Sequence, residues 1–372
     1  MDGEIINFVF VWATVLSCLY YCHTVGKIFR QPSWWRVIAI LPVPILFFFL
    51  PLRLTTIHLG GTTCFFIAWL SSFKLILFAF DKGPLSSSSS SATSSSVSRF
   101  IAVACFPIKP HQERQSSSSP SRNKRSSKTL KNYAVKIALL GLCIRVYAYK
   151  QSIPEKIIWF FYALHIYFML EMILAAVASL ARAAVGVELE QQFDEPYLAT
   201  SLQDFWGRRW NLMVSNILRP TVYDPVRGIS KGFVGPEWAS VVAVVATFVV
   251  SGLMHELVFY NIGRVKPNGV VMCFFILHGV ALAVELGVKR ALKGKGRKIW
   301  VPPMMVSAPL TLGFVIYSSF WLFFPPLLRA KADWKGCTES LAFVEFLKHG
   351  QLVNPNNVTC PFLPNYTDDH VI

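Results

Sequence analysis

Apolar residues occur along this chain in long blocks rather than in the one-sided stripes of a soluble helix. Eight blocks stand out, at roughly 5–23, 36–52, 57–80, 132–149, 157–181, 238–262, 269–288 and 300–328. Most reach the roughly 18 residues that carry an α-helix across a bilayer. Lipid offers the backbone no hydrogen bonds, so each block is expected to be helical. The expected fold is all-α: a polytopic integral membrane protein of about eight transmembrane helices with interfacial helices. Pro42 and Pro44 predict a kink in the second block. Lys136 and Arg145 leave the fourth open to an interfacial placement. Pro302, Pro303 and Pro309 make the long last block a broken or tilted helix.

The gaps between blocks set the organisation. Residues 81–131 are low in complexity, with serine runs at Ser86–Ser91 and Ser116–Ser119. Such a stretch cannot bury a core and reads as a flexible loop. From Arg99 to Lys131 it holds eight basic residues and one acid, Glu113. The gap 289–298 carries six basic residues and no acid. Both gaps are expected in the cytosol. Residues 182–237 are amphipathic, rich in Trp, Arg and Asn, and too polar to span; they are expected at the cytosolic face. The whole, 1–372, reads as one membrane domain.

Composition agrees. The chain is 53% hydrophobic and only 15% charged, against about 25% charged in soluble domains. The net charge of +16 sits in the gaps. It is read as the positive-inside bias and attraction to anionic headgroups rather than as a nucleic-acid surface. Four blocks separate the two basic gaps, so both fall on one side. The start and the tail after about 330 fall on the other. That tail carries the sequons Asn357-Val358-Thr359 and Asn365-Tyr366-Thr367, and Cys337 and Cys360, which an oxidising lumen would allow to pair. The other cysteines sit mainly inside apolar blocks as small hydrophobes. The first block has no basic leader or clear cleavage site and is expected to be a retained helix.

Two places carry chemistry. His255 lies in Ser251-Gly252-Leu253-Met254-His255-Glu256, inside an apolar run. An ionisable pair at membrane depth is costly, which points to function. A neutral imidazole can accept a proton, as a general base must; a structural histidine bonded between helices is the other reading. Asn211 ends Ser201-Leu202-Gln203-Asp204-Phe205-Trp206-Gly207-Arg208-Arg209-Trp210-Asn211. Trp206 and Trp210, four apart, are expected on one helix face, with Arg208 and Arg209 available to phosphates. Composition alone favours an interfacial helix with an aromatic belt and snorkelling arginines. Other patterns fail. The G-x-S-x-G at Gly228–Gly232 lies in a loop without the strand and helix a hydrolase needs. The H-E-x-x-H zinc pattern stops at Phe259. His278, beside Gly279, reads as a packing histidine. Glu171 either pairs with Arg145 or lines a cavity.

Taken together, Ser201–Asn211, Leu218–Arg227 (LRPTVYDPVR), Ser251–Glu256, Phe80–Ser86 (FDKGPLS) and Cys105–Lys109 (CFPIK) resemble the membrane-bound O-acyltransferase family. Within it the chain is similar to the plant wax synthase and sterol acyltransferase subfamily. The resemblance covers most of the chain. It implies an acyl-CoA-dependent O-acyltransferase of the endoplasmic reticulum membrane. His255 would be the base and Asn211 would position the reacting groups. Glu256 is expected to set the imidazole tautomer, Trp206 and Trp210 to support the site, and Arg208 and Arg209 to bind acyl-CoA. No metal or redox cofactor is implied. The leading acceptor is a long-chain fatty alcohol, giving a wax ester; a sterol comes next and diacylglycerol third. A lipid transporter without chemistry is the alternative class; it predicts internal repeats, and the two halves show none.

Overall fold

A computed structural model describes residues 2–86, 96–106, 122–185, 192–294 and 302–361. Among these residues the regular structure is helical, and seven helical stretches are long and apolar enough to cross a membrane. The serine runs beyond Ser86, the end of the CFPIK motif and Asn365 lie outside the described residues.

Helix α1 (Asp2–Ile28) is followed by α2 (Trp34–Ile40) and α3 (Pro42–Phe49). The predicted kink falls between these two, where Pro42 cannot donate a helical hydrogen bond. Helix α4 (Ile57–Ala79) is the most buried of the seven spans. Short α5 (Val97–Cys105) packs with α1 and α4. Arg36 and Lys74 tie this group together. Buried Arg36 donates to the Phe78 carbonyl, lies 3.6 Å from Asp81 and sits over the Phe78 ring. Lys74 donates to the Val103 and Phe106 carbonyls. Arg36 thus holds the FDKGPLS motif through Asp81 and Lys74 holds the CFPIK motif through Phe106, each cation with its charge met inside the fold.

Helix α6 (Arg122–Val146) turns back through Tyr147–Ser152 into α7 (Glu155–Val185). The two run antiparallel: Lys136 pairs with Glu171, and Tyr147 meets His165. Glu171 thus takes Lys136 rather than Arg145. Charge keeps α6 out of the seven apolar spans, yet it runs beside the spanning α7. Lys150 in the turn at its end lies 3.8 Å from Asp333, and Tyr162 of α7 donates to the same carboxylate (3.3 Å). The fourth block therefore lies alongside α7, antiparallel to it.

Helix α10 (Asp224–Gly263) contains a break at Gly235, φ +79°, just before Pro236. Its apolar half pairs closely with α11 (Val270–Gly294). A Cβ on Gly279 would come 2.8 Å from the Phe248 Cβ, and one on Gly252 would come 2.6 Å from the Met272 sulfur. Glycine at both positions is what lets the helices approach. The last block divides into α12 (Met304–Leu322) and α13 (Phe324–Arg329), followed by α14 (Ala332–His349).

Two unlike faces result. On one, the Glu4 carboxylate accepts from the amides of Thr55 and Thr56. Arg264 reaches the carbonyls of Leu52 and Leu54, and Glu339 accepts from Ile57, His58 and the His58 ring. Lys335 donates to Ile262 (2.6 Å), and burial holds its ammonium below the usual lysine range. Cys337 and Cys360 form a disulfide there. The start, the loop 51–58, the loop after Gly263 and the tail share this tail face. The opposite, basic face holds the ends of α4, α7 and α11. This is the grouping expected from the charge pattern.

Candidate active site

A large cavity of about 1350 Å³ runs between the two faces, walled mainly by apolar and aromatic side chains. It exceeds the 300–1,000 Å³ usual for a small-molecule site. Arg219, Tyr223 and Arg290 line it toward the basic face; His58, Asp333 and Cys360 line it toward the tail face.

His255 lines this cavity, one helical turn after Ser251. Its Nδ1 lies 2.8 Å from the Ser251 carbonyl. A carbonyl only accepts, so Nδ1 carries the proton and Nε2 carries the lone pair. No described residue bonds Nε2. The ring is held by Phe275 (centroids 4.2 Å apart), by the edge of Trp69 (5.1 Å) and by Phe323 (6.1 Å). An apolar cage around one free basic nitrogen suits a proton acceptor in a dry site. The tautomer assignment differs from the expectation for Glu256. Glu256 accepts from the Met272 amide (3.3 Å) at the start of α11 and turns toward a small recess away from the main cavity. A backbone carbonyl sets the imidazole instead.

The Asn211 segment also departs from the sequence reading. It is no regular amphipathic helix lying on the face. After α8 (Leu202–Asp204), Phe205–Arg209 forms a wide π-turn and Trp210 is extended. Asn211 then caps α9 (Leu212–Leu218) with φ +43°, its side chain accepting from Val214 N (3.4 Å). The segment enters the bundle because its polar groups find partners there, the condition for irregular backbone at membrane depth. Trp206 Nε1 donates to His278 Nδ1 (3.1 Å), so His278 Nε2 carries a proton and donates to Ser318 (2.9 Å). His278 is fully buried with both nitrogens used, which makes it the packing histidine the sequence suggested. Trp206 also packs edge-on to Phe248 and against Phe275, the ring that covers His255. Trp210 stacks on Phe205 and meets Phe193.

Asn211, Trp206, Trp210 and His255 thus line one cavity. Left-handed backbone is costly for most side chains and least so for Asn, which accounts for the residue type at this bend. The asparagine amide nitrogen remains available as a donor. The two arginines of the motif do not line the cavity. Arg208 is exposed. Arg209 binds Asp204 (2.8 Å) and the carbonyls of Asp194 and Glu195. The cations on the cavity wall toward the basic face are Arg219, from the LRPTVYDPVR motif, and Arg290. Sequence reasoning gave neither a role, nor did it find Trp69, Phe275 and Phe323 around the imidazole. The signal for Arg219 was present in its motif; that for the aromatic cage was not, since its members come from α4, α11 and the junction of α12 with α13.

A histidine and an asparagine facing one apolar cavity in a polytopic helical bundle define a membrane enzyme that works on lipidic groups. Residues 189–277, which hold both, match the Membrane bound O-acyl transferase family. The chain is 42% identical to Acyl-CoA--sterol O-acyltransferase 1 of Arabidopsis thaliana over 91% of this chain and 96% of that protein. It is 41% identical to the Long-chain-alcohol O-fatty-acyltransferase of Simmondsia chinensis, over 91% and 94% respectively. Probable long-chain-alcohol O-fatty-acyltransferase 3 of Arabidopsis thaliana is 39% identical over 94% of this chain and 97% of its own. The chain belongs to the membrane-bound O-acyltransferase family, and it is a multi-pass membrane O-acyltransferase.

Proposed function

We propose that this protein transfers a fatty acyl group from acyl-CoA to a long-chain alcohol in the endoplasmic reticulum membrane, with His255 as the general base. The observation that carries the base assignment is the His255 tautomer: Nδ1–H is committed to the Ser251 carbonyl, leaving the Nε2 lone pair in the cavity. The alcohol hydroxyl would donate to Nε2 while its oxygen attacks the thioester carbonyl. The Asn211 amide would donate to the carbonyl oxygen as charge develops there. On collapse the carbon–sulfur bond breaks, the ester forms, and the imidazolium returns its proton to the departing thiolate. A thioester is already activated, so no acyl-enzyme is needed, and the scheme calls on no metal.

The cavity volume supports a site that holds an acyl chain and a lipid acceptor together. Arg219 and Arg290 place positive charge where the CoA phosphates would approach from the basic face. A sterol is the second acceptor reading, supported by the similarity to a sterol acyltransferase. Membranes containing the protein, given labelled acyl-CoA and equal amounts of long-chain alcohol, sterol and diacylglycerol, test both. Wax ester as the main product is expected. Sterol ester alone would replace the acceptor assignment, and no ester from any of the three would overturn the reading.

A further inference from the structure

The C-terminal tail carries features that acyl transfer does not use. Asn357-Val358-Thr359 and Asn365-Tyr366-Thr367 are the two N-x-S/T sequons in the chain, and both fall after the last span. Asn357 ends a single 3₁₀ turn, Pro355–Asn357, fixed by Asn354, whose side chain accepts from the Asn356 amide (3.1 Å). The side chains of Asn357 and Thr359 are both exposed. Val358 leaves the turn in extended conformation. The next residue after the sequon is Cys360, buried and joined to Cys337.

Three independent observations meet here. The disulfide requires an oxidising compartment, since cytosolic thiols are kept reduced. The tail packs against the start of α4 and the end of α10, on the face opposite the basic loops, which the positive-inside bias assigns to the cytosol. The sequon lies on the surface of that face, anchored on both sides by fixed structure. We infer that Asn357 is an N-glycosylation site, modified on the lumenal side of the membrane by an oligosaccharide from a lipid-pyrophosphate donor. In that step the Asn357 amide nitrogen bonds to C1 of the reducing sugar. The bond from C1 to the pyrophosphate oxygen breaks, the lipid pyrophosphate leaves, and the amide proton passes to the transferring enzyme's base. The Thr359 hydroxyl is the recognition element that makes this asparagine an acceptor.

The position has a further consequence for timing. Once Cys360 is tied to Cys337, the sequon is held against α14, so the sugar is added before or in competition with disulfide closure. The modification stands apart from the acyl-transfer reading and is tested without an activity assay. The full chain is expressed in a glycosylating eukaryotic host, and membranes are treated with an N-glycan-removing amidase. The wild type is expected to lose the mass of a glycan, seen as faster migration. Asn357→Gln and Thr359→Ala each remove that glycan, and Thr359→Ser keeps it. Asn357 is exposed, so these variants accumulate normally. Cys360→Ser, which frees the tail, is expected to be glycosylated at least as fully as the wild type. No change in migration of the wild type, or a full shift that persists in Asn357→Gln and is lost in Asn365→Gln, overturns the assignment.

Discussion

Replacing His255 and His278 in turn separates chemistry from architecture, because both are intramembrane histidines with opposite hydrogen-bond accounts. In His255→Ala the Ser251 carbonyl keeps its helical amide partner, so no buried polar group is orphaned. The loss is the Nε2 base. A general base is worth about 10²–10⁴ in rate, or about 3–5 kcal/mol of transition-state stabilisation. In His278→Ala the Trp206 indole N–H loses its acceptor, while Ser318 keeps its bond to the Phe314 carbonyl. One buried orphan costs about 1–3 kcal/mol, and the space left by a fully buried imidazole adds to it. His255→Ala is therefore expected to unfold near the wild-type temperature in detergent and to lose at least about a hundredfold in acyl transfer. His278→Ala is expected to unfold at a lower temperature. Its activity falls less, through the loosened Trp206 loop. The assay is initial rate with labelled acyl-CoA at matched abundance, beside a thermal unfolding curve for each variant. Near-normal turnover of His255→Ala at equal abundance would refute the base assignment. An unfolded His255→Ala with an unperturbed His278→Ala would invert the two roles.

At Asn211, Ala is expected to lose both the amide and the tolerance of positive φ, whereas Gly loses only the amide. Rates should fall about 10²–10³-fold in both, with stability falling further in Ala, and a fully active Gly variant would exclude a role for the amide. Lys136→Ala strands Glu171 between α6 and α7 and is expected to cost about 3–5 kcal/mol, measured as lost thermal stability; the double variant Lys136→Met with Glu171→Leu should recover most of it.

Block lengths made most of the fold legible, since apolar runs bounded by cations leave little choice of helix in lipid. Pro42 marked where the second block bends. The fourth block was ambiguous because Lys136 looks unpaired until α7 supplies Glu171, a partner 35 residues away. His255 and Asn211 could be singled out from their own motifs. What lay outside the sequence was how their segments meet. A polar, Trp-rich stretch reads as interfacial by composition, and the acceptors on α11, His278 and Glu285, explain its entry into the bundle. Glu256 was the obvious neighbour to fix a tautomer. The Ser251 carbonyl does so because a histidine ring can bend back onto the preceding turn of its own helix, which residue type does not signal. Arg209 reads as a phosphate ligand until Asp204, five residues earlier, is seen to occupy it.

The contact of Glu339 with Ile57 and His58 spans more than 280 residues of chain. It makes assembly of this fold wait for α14. While the ribosome is still extending α12, the loop between α3 and α4 lacks the carboxylate that later collects its free amides, and the tail end of the cavity has no wall from α14. A nascent chain thus exposes an open, apolar cleft until α14 arrives. Chains truncated before Glu339 are then expected to be recognised as incomplete and degraded, even though every transmembrane helix and both motif residues are already in place.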